Sequence, residues 1–131
     1  MNIETIRGKL DARLALLAPA LPTAWQDVQF TVPVNGAPYQ RTMLIPAPPF
    51  TPTLTEQVAR DQGIYQIMLS FPAGNGPGAA DRRASAIQAH FPAQLDLGDR
   101  LRTRGKPIIA PPLPDDARIL IPVSVRYEVI Q

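Results

Sequence analysis

Hydrophobic residues near the start of the chain recur with the spacing of an α-helix. Apolar positions three or four residues apart share one stripe of a helix, and charged residues lie between them on the other face. The stripe consists of Ile3, Ile6, Leu10, Leu14 and Leu17. Asn2 can cap the first turn, and Ala18 disfavours continuation because a residue before proline is pushed out of the helical region. The pattern predicts a helix over residues 3–17.

The pattern then changes to short runs typical of β-strands. Residues 25–32 and 39–45 form two such runs, and Asn35-Gly36 between them is a dipeptide that commonly turns a hairpin. Residues 46–52 contain four prolines, which remove donors from a strand ladder. We therefore expect an exposed loop or extended arm there, not a central strand. Residues 53–56 have the spacing of a capping box and could start one short helical turn.

The middle of the chain predicts a strand followed by a second helix. Residues 64–71 are rich in β-branched and aromatic side chains that alternate between two faces, which is typical of a central strand. A glycine-rich loop over residues 72–78 follows. Beyond it, Ala80, Ala84, Ile87 and Phe91 recur at helical spacing, and Pro92 ends the helix.

The last third of the chain predicts two more strands. Residues 100–110 and 118–130 have β-type patterns, and in the second run alternate residues from Ile119 to Val129 are apolar. The proline-rich residues 111–116 are expected to form the turn between them. The element order predicts one α+β domain over residues 1–131, with a mainly antiparallel sheet of about five strands and two principal helices packed on it.

Length and composition exclude several classes of protein. A chain of 131 residues can bury about two-thirds of its surface in one core. The absence of cysteine excludes disulfides, a thiolate nucleophile and cysteine-based metal sites. Because prolines or charges interrupt every apolar run, we expect neither a membrane span nor a signal peptide. We expect a cytoplasmic chain without a membrane partner.

The charge pattern favours protein contacts over nucleic acid. Thirteen cationic residues oppose eleven acidic ones, a formal net charge of +2 that gives little long-range attraction to phosphates. We expect no sequence-specific binding to nucleic acid. Eleven of the cations are arginine, whose planar fork suits interfaces, although a GC-rich genome would also enrich arginine.

The glycine-rich loop can be spelled G-x-G-x-x-A, which raises the question of nucleotide binding. The loop contains Gly74, Asn75, Gly76, Pro77, Gly78 and Ala79. Pro77 lacks an N–H where amides would hold a phosphate, and no alternating strand and helix pattern follows to bury a cofactor. We therefore predict an interface loop and no cofactor.

The remaining candidates for chemistry lack partners. His90 is the only histidine, and no second metal ligand or G-x-S-x-G element accompanies it. The acid pairs Asp96 with Asp99 and Asp115 with Asp116 lie beside glycine or proline, where aspartate usually forms turns. We predict no catalytic residue and no metal site, and hence no enzyme.

Five arginines are candidates for a contact with a neighbouring subunit or partner. Arg100, Arg102 and Arg104 would share one face of a strand, which is either an assembly face or the solvent face of a hairpin. Arg82 and Arg83 lie in the first turns of the second helix, where their charges oppose the helix dipole. Helix stability therefore does not account for them.

Several sequence blocks follow one another in an order that resembles a known family. They are residues 62–67 (QGIYQI), residues 71–76 (FPAGNG) and a helix that opens with Ala80-Asp81 and ends in Phe91. An opening helix before the lone Trp25 and a closing strand with residues 122–127 (PVSVRY) complete the pattern. The chain resembles the tail terminator, or tail completion, proteins of siphophage-like phages and prophages.

The resemblance implies an α+β protomer that forms a ring, typically six-fold, on the end of the polymerised tail tube. The ring would stop tube growth and offer a surface to which the filled head attaches. Its partners would be further copies of itself, the major tail tube protein and head–tail connector proteins. It would assemble in the host cytoplasm and remain in the virion tail. By motif position, Gly63, Tyr65 and Gln66 would be architectural, and the loop from Gly74 to Gly78 would face a neighbour or the tube.

Two alternatives stay open at this point. The first is another neck component, such as a head-closure or head–tail joining protein. The second is a small nucleotide- or nucleic-acid-binding module that uses the glycine loop and the face of Arg100, Arg102 and Arg104.

Overall fold

Two helices pack on one side of a long β-sheet. The computed structural model describes residues 2–33, 36–50 and 60–130. Within these residues the helices are α1 (Ile3–Ala15) and α2 (Gly78–His90). The strands are β1 (Thr23–Ala24), β2 (Tyr39–Phe50), β3 (Arg60–Pro72), β4 (Asp96–Gly98), β5 (Leu101–Thr103), β6 (Ile108–Ile109), β7 (Leu113–Asp115) and β8 (Arg118–Ile130).

Both predicted helices are present, and each buries the stripe that its sequence pattern indicated. The side chain of Asn2 accepts a hydrogen bond from the Thr5 amide at 2.8 Å and so caps α1. Helix α1 ends at Ala15, two residues before the predicted end. Helix α2 ends at His90, and the buried Phe91 follows it. The small buried side chains of Ala80 and Ala84 let its backbone approach the sheet closely.

The sheet is larger than predicted and is not purely antiparallel. The order is β1-β2-β3-β8-β5-β4, and β6 and β7 also pair with β8, so the described residues contain eight strands, not about five. The central strands β3 and β8 pair along their whole length, and only β1 runs parallel to its neighbour. The α+β class is confirmed, and the predicted number of strands is wrong. Strands of two or three residues carry no periodic signal, so the sequence pattern could not predict them.

The segment before β2 does not form the predicted strand over residues 25–32. Only Thr23–Ala24 pairs with β2, and the next residues leave the sheet. The side-chain Oε1 of Gln26 accepts the Leu44 amide at 2.8 Å, so a side chain replaces the backbone ladder there. The predicted hairpin turn at Asn35-Gly36 includes residue 35, which lies outside the described residues.

Strand β2 continues through the first prolines of residues 46–52. The Gln40 amide bonds to the Pro22 carbonyl at 3.0 Å, and the Leu44 amide bonds to Gln26, so both amides point away from β3. Pro46 follows two residues later, and its missing N–H falls on this outer edge, where β3 does not need it. The loop alternative is thus wrong for residues 46–50, which extend a strand. The predicted helical turn at residues 53–56 lies outside the described residues.

The predicted strand over residues 100–110 is broken in two. Gly105 has a φ of +68° and turns the chain between β5 and β6. The proline-rich segment 111–116, predicted to be a turn, contains β7, and only Asp116 and Ala117 connect it to β8. The short strands β5, β6 and β7 each form where the chain pairs with the long strand β8.

The core lies between the helices and the inner face of the sheet. Alternate residues of β3 and β8 point toward the helices and are buried, as predicted: Tyr65, Ile67, Leu69, Phe71, Ile121, Val123, Val125, Tyr127 and Val129. The opposite side of the sheet, here called the outer face, is not covered by either helix. Exposed side chains there include Met43 and Ile45 of β2.

Candidate assembly surfaces

The glycine loop joins the end of β3 to the start of α2 and is exposed throughout. Gly74 and Gly76 have φ values of +88° and +76°, and a Cβ on either would meet no atom within 4 Å. The two glycines therefore serve a left-handed backbone rather than a tight contact. The Ala73 amide donates to the Ala117 carbonyl at 2.9 Å. The loop thus lies beside the β7–β8 turn, at one end of the central strands.

Arg102 and Arg104 converge on one buried carboxylate. Nε of Arg102 lies 2.9 Å from Oε1 of Glu128, and Nε of Arg104 lies 3.5 Å from its Oε2. The Glu128 side chain is only 7% exposed, whereas those of the arginines are 39% and 45% exposed. Nη1 of Arg104 also donates to Gln62 at 2.9 Å. The carboxylate therefore orients two guanidinium groups whose outer sides face solvent.

Arg100 does not share a strand face with the other two arginines, which corrects the sequence prediction. It lies in the turn between β4 and β5 with a φ of +67°. Its carbonyl accepts the Ile130 amide at 3.2 Å, so the backbone is tied to the end of β8. The side chain is exposed near Arg102, and both line one shallow hollow with Ile130.

Arg83 is not a surface residue, which corrects its place in the predicted interface. It is 6% exposed, and its Nη1 donates to the Pro19 carbonyl while Nη2 donates to Gln40 Oε1 at 3.2 Å. Burial lowers the pKa of the guanidinium. Its position three residues after the buried Ala80 places it on the inward stripe of α2. Arg82, the residue before it, lies on another side of the helix and is exposed.

The predicted interface residues therefore fall into two separate patches. The glycine loop follows Pro72, at one end of β3, and Arg102 with Arg104 gathers near Gln62, toward the other end. Pro72 comes ten positions after Gln62 along β3, a distance of roughly 33 Å. The residues do not form one site.

The candidate catalytic and metal residues make structural contacts. His90 bonds to α1, Asp96 Oδ1 accepts the Gly98 amide at 2.8 Å, and Asp99 lies 3.3 Å from Nζ of Lys9. Among the residues that the structure describes, no three His, Cys, Asp or Glu side chains gather as they would around a metal ion. Asp99 and Asp116 lie in turns, as their neighbours in the sequence indicated, whereas Asp96 and Asp115 belong to β4 and β7.

A hydrogen bond between the half-buried Asp11 of α1 and the buried Tyr65 of β3 was not predicted from the sequence. The Tyr65 hydroxyl donates to Oδ1 of Asp11. Burial raises the pKa of Asp11, and burial together with the Asp11 hydrogen bond raises the pKa of Tyr65. Nearby, Nε of Arg7 donates to Gln26 at 3.3 Å. These contacts fasten α1 to the sheet, which gives Tyr65 the architectural role that the resemblance implied.

Gly63 is required by the packing of the central strands. A Cβ at this position would lie 2.6 Å from the Ile45 carbonyl oxygen and 2.6 Å from the Tyr127 hydroxyl. Gly63 is paired with Tyr127 across the sheet, so the aromatic ring occupies the space above the glycine.

The comparison with known families is decisive. The family model for the phage tail terminator protein matches residues 5–127, nearly the whole chain. The chain belongs to the phage tail terminator family. This confirms the resemblance drawn from the sequence blocks. A solved structure aligns with this terminator at 29% identity and a TM-score of 0.77, covering 100% of this chain and 96% of the other. A search of curated proteins gives no match.

Membership gives this terminator a structural role in completing a phage tail. The family is structural rather than enzymatic, and it implies contact with tail and head components of the virion. The virion tail is the location that such a protein suggests. None of the described helices is long and apolar enough to cross a membrane.

Proposed function

We propose that this terminator caps the end of the tail tube, ends tube polymerisation and presents the surface to which the filled head attaches. Family membership over residues 5–127 carries the proposal. The protein would act as a ring of copies, assembled in the host cytoplasm, in contact with the major tail tube protein on one side and head–tail connector proteins on the other.

The two separated patches support a ring. A cyclic assembly uses a heterologous contact, in which one patch of a subunit meets a different patch of the next, and it closes only if the rotation is right. The glycine loop (Gly74, Asn75, Gly76 and Gly78) with Arg82 forms one candidate contact. The exposed guanidinium groups of Arg100, Arg102 and Arg104 form the other.

Tube length provides the test. Purified tube protein is polymerised with and without this terminator, and tube lengths are measured by electron microscopy. We expect the terminator to arrest growth in proportion to its concentration. Tubes of the same uncontrolled length in both samples would show that the protein does not cap.

A triple variant tests the arginine patch. Replacing Arg102 and Arg104 with Gln would leave the buried Glu128 carboxylate unpaired, so Glu128→Gln is made in the same chain. We expect this variant to fold and no longer to limit tube length. Arg41→Gln is the control, because Arg41 is an exposed cation of β2 outside both candidate contacts.

Location separates the terminator from another neck component. A terminator stays with headless tails, whereas a head-closure or joining protein is found on tailless heads. Immunogold labelling of particles from assembly-arrested phage distinguishes these outcomes.

A further inference from the structure

Cations crowd one end of the sheet. The group, here called the basic patch, consists of Arg100, Arg102, Arg104, Lys106 and Arg126. The Arg126 side chain lies against Gly105, between Arg104 and Lys106, because a Cβ on Gly105 would lie 2.5 Å from Nη2 of Arg126. Three carboxylates lie nearby. Glu128 is buried under two of the arginines, Asp96 is paired with Arg102 across the ladder, and Asp99 beside Arg100 is paired with Lys9. The patch keeps an excess of positive charge.

Carboxylates collect at the other end. The acidic patch consists of Asp81, Asp115 and Asp116, all exposed, and none of them makes an ion pair within the described parts of the chain. Asp115 and Asp116 lie at the β7–β8 turn, which the Ala73–Ala117 hydrogen bond joins to the glycine loop.

Asp81 lies on the same side of the molecule as that turn. Gln88, two turns further along α2, shares its side of the helix, and the Gln88 amide donates to the Pro107 carbonyl at 2.8 Å. Asp81 therefore belongs to the flank of α2 that faces the β6 and β7 segment.

Of the cations near the acidic patch, Arg41 is exposed and lines one hollow with Asp115, whereas Arg118 and Arg82 contact other groups. Arg118 donates to Ser70 Oγ at 3.2 Å and to the Ala37 carbonyl at 3.0 Å, and its guanidinium lies 4.9 Å from the ring centre of Tyr39. Arg82 lines a different hollow, beside Pro19.

The edge between the patches is apolar and poor in amides. Ile108, Ile109 and Leu113 are 51%, 38% and 49% exposed. Prolines at positions 111, 112 and 114 remove backbone donors from this edge. A partner therefore meets side chains here rather than adding a strand.

We propose that neighbouring copies of this chain meet head to tail, with the basic patch of one subunit against the acidic patch of the next. The inference rests on the proposed ring and names its contact. The basic end of one subunit attracts the acidic end of the next, whereas two basic ends or two acidic ends repel each other. The patches also lie roughly 33 Å apart, at opposite ends of β8. A contact between two different patches repeats from copy to copy and closes when the rotation is right.

Crosslinking tests the orientation directly, because the chain contains no cysteine of its own. A variant with both Lys106→Cys and Asp115→Cys is treated with a short bifunctional maleimide, free in solution at high protein concentration and on tube ends. We expect a ladder of covalent multimers. Covalent dimers with nothing larger would indicate a two-fold contact, and absence of any product would show that the patches do not meet. Either result overturns the proposal.

The single-cysteine variants are the matched controls. Lys106→Cys alone and Asp115→Cys alone should stay monomeric after crosslinking, since like patches do not meet. A dimer from either one would overturn the head-to-tail arrangement.

Charge reversal provides a second, independent test. The first variant, Lys106→Glu with Arg126→Glu, reverses two exposed cations that do not pair with Glu128. The second, Asp81→Lys with Asp115→Lys, reverses two exposed carboxylates and leaves Asp116 unchanged because its φ is positive. Each pair alone should weaken self-association at least about tenfold, measured by sedimentation. An equimolar mixture of the two, or one chain with all four changes, should restore it. Association unaffected by either pair would overturn the proposal.

The tube-length assay separates this inference from the proposed function. If the wild-type chain fails to limit tube length, the proposed function fails whatever the crosslinks show. If the wild type limits tube length and the charge-reversed variants do so equally well, only the head-to-tail contact fails.

Discussion

The side chains of Arg13 and His90 each hydrogen-bond to the other residue's backbone carbonyl. Nε and Nη2 of Arg13 donate to the His90 carbonyl oxygen at 3.1 and 2.9 Å, and His90 Nε2 donates to the Arg13 carbonyl oxygen at 2.6 Å. Both carbonyls belong to the last turns of their helices, where intrahelical donors run out. The pair joins the C-terminal ends of α1 and α2, and it gives the only histidine a structural role.

We predict that His90→Ala and Arg13→Met each lower the free energy of unfolding by about 1–2 kcal/mol, because each removes the side-chain donor to a carbonyl at a helix end. The double variant should lose less than the sum of the two, by at least about 0.5 kcal/mol, since the contacts are reciprocal. Urea denaturation of all four proteins measures this coupling. Strict additivity would show that the two residues act separately.

Gly63→Ala should destabilise the protein by about 1–3 kcal/mol, because the new Cβ meets a backbone oxygen that cannot move freely. Gly8→Ala is the matched control. It is exposed within α1 with no atom near its Cβ position, so the same change should stabilise by about 0.5–1 kcal/mol. Thermal unfolding of the two variants should move in opposite directions from wild type, and a fall in both would contradict the packing argument.

Arg83→Met should cost about 1.5–3 kcal/mol, since it removes charged hydrogen bonds to Pro19 and Gln40 in a buried position. The neighbouring change Arg82→Met should alter stability by less than about 0.5 kcal/mol, because Arg82 is exposed. Chemical denaturation compares the pair. Equal effects at both positions would place Arg83 at the surface.

Asp11 should make stability fall with rising pH. Its pKa in the folded protein is raised above the ordinary 3.8 because burial disfavours the charge. The native state therefore holds the proton more tightly than the unfolded state, and this contribution is full below the ordinary pKa and is lost as pH rises through the folded pKa. Asp11→Asn removes the titration while leaving an oxygen acceptor for Tyr65.

Denaturation of wild type and Asp11→Asn over a pH series from about pH 3 to pH 7 measures this linkage. The stability of wild type relative to the variant should decline with increasing pH above about pH 4. A difference that is constant with pH, or that rises, would contradict the raised pKa.

The long elements of the fold could be predicted from the sequence because burial gives them a clear period. Helix α1, the central strand β3 and the closing strand β8 each bury alternate or helically spaced residues. The short strands could not be predicted in this way. Residues 108–109 become β6 only because β8 lies beside them, and two residues are too few to show a pattern.

The candidate surfaces were predicted only in part, for a similar reason. The spacing of Arg102 and Arg104 predicted a shared face. It could not predict their contact with Glu128, because that residue is distant in sequence and is brought close only by the pairing of β5 with β8. The charge of Arg83 predicts a surface position, but its spacing from Ala80 places it on the apolar stripe of α2. That stripe was visible in the sequence and could have identified it.

The outer edge of β2, on the side away from β3, has few free backbone donors in an unassembled subunit. There the Pro22 carbonyl takes the Gln40 amide, the Gln26 side chain takes the Leu44 amide, and Pro46 has none to give. An incoming strand from another molecule finds no free donor at these three positions, which disfavours strand addition along this part of the edge. A stock of unassembled subunits is thereby protected from aggregation through this edge at high concentration.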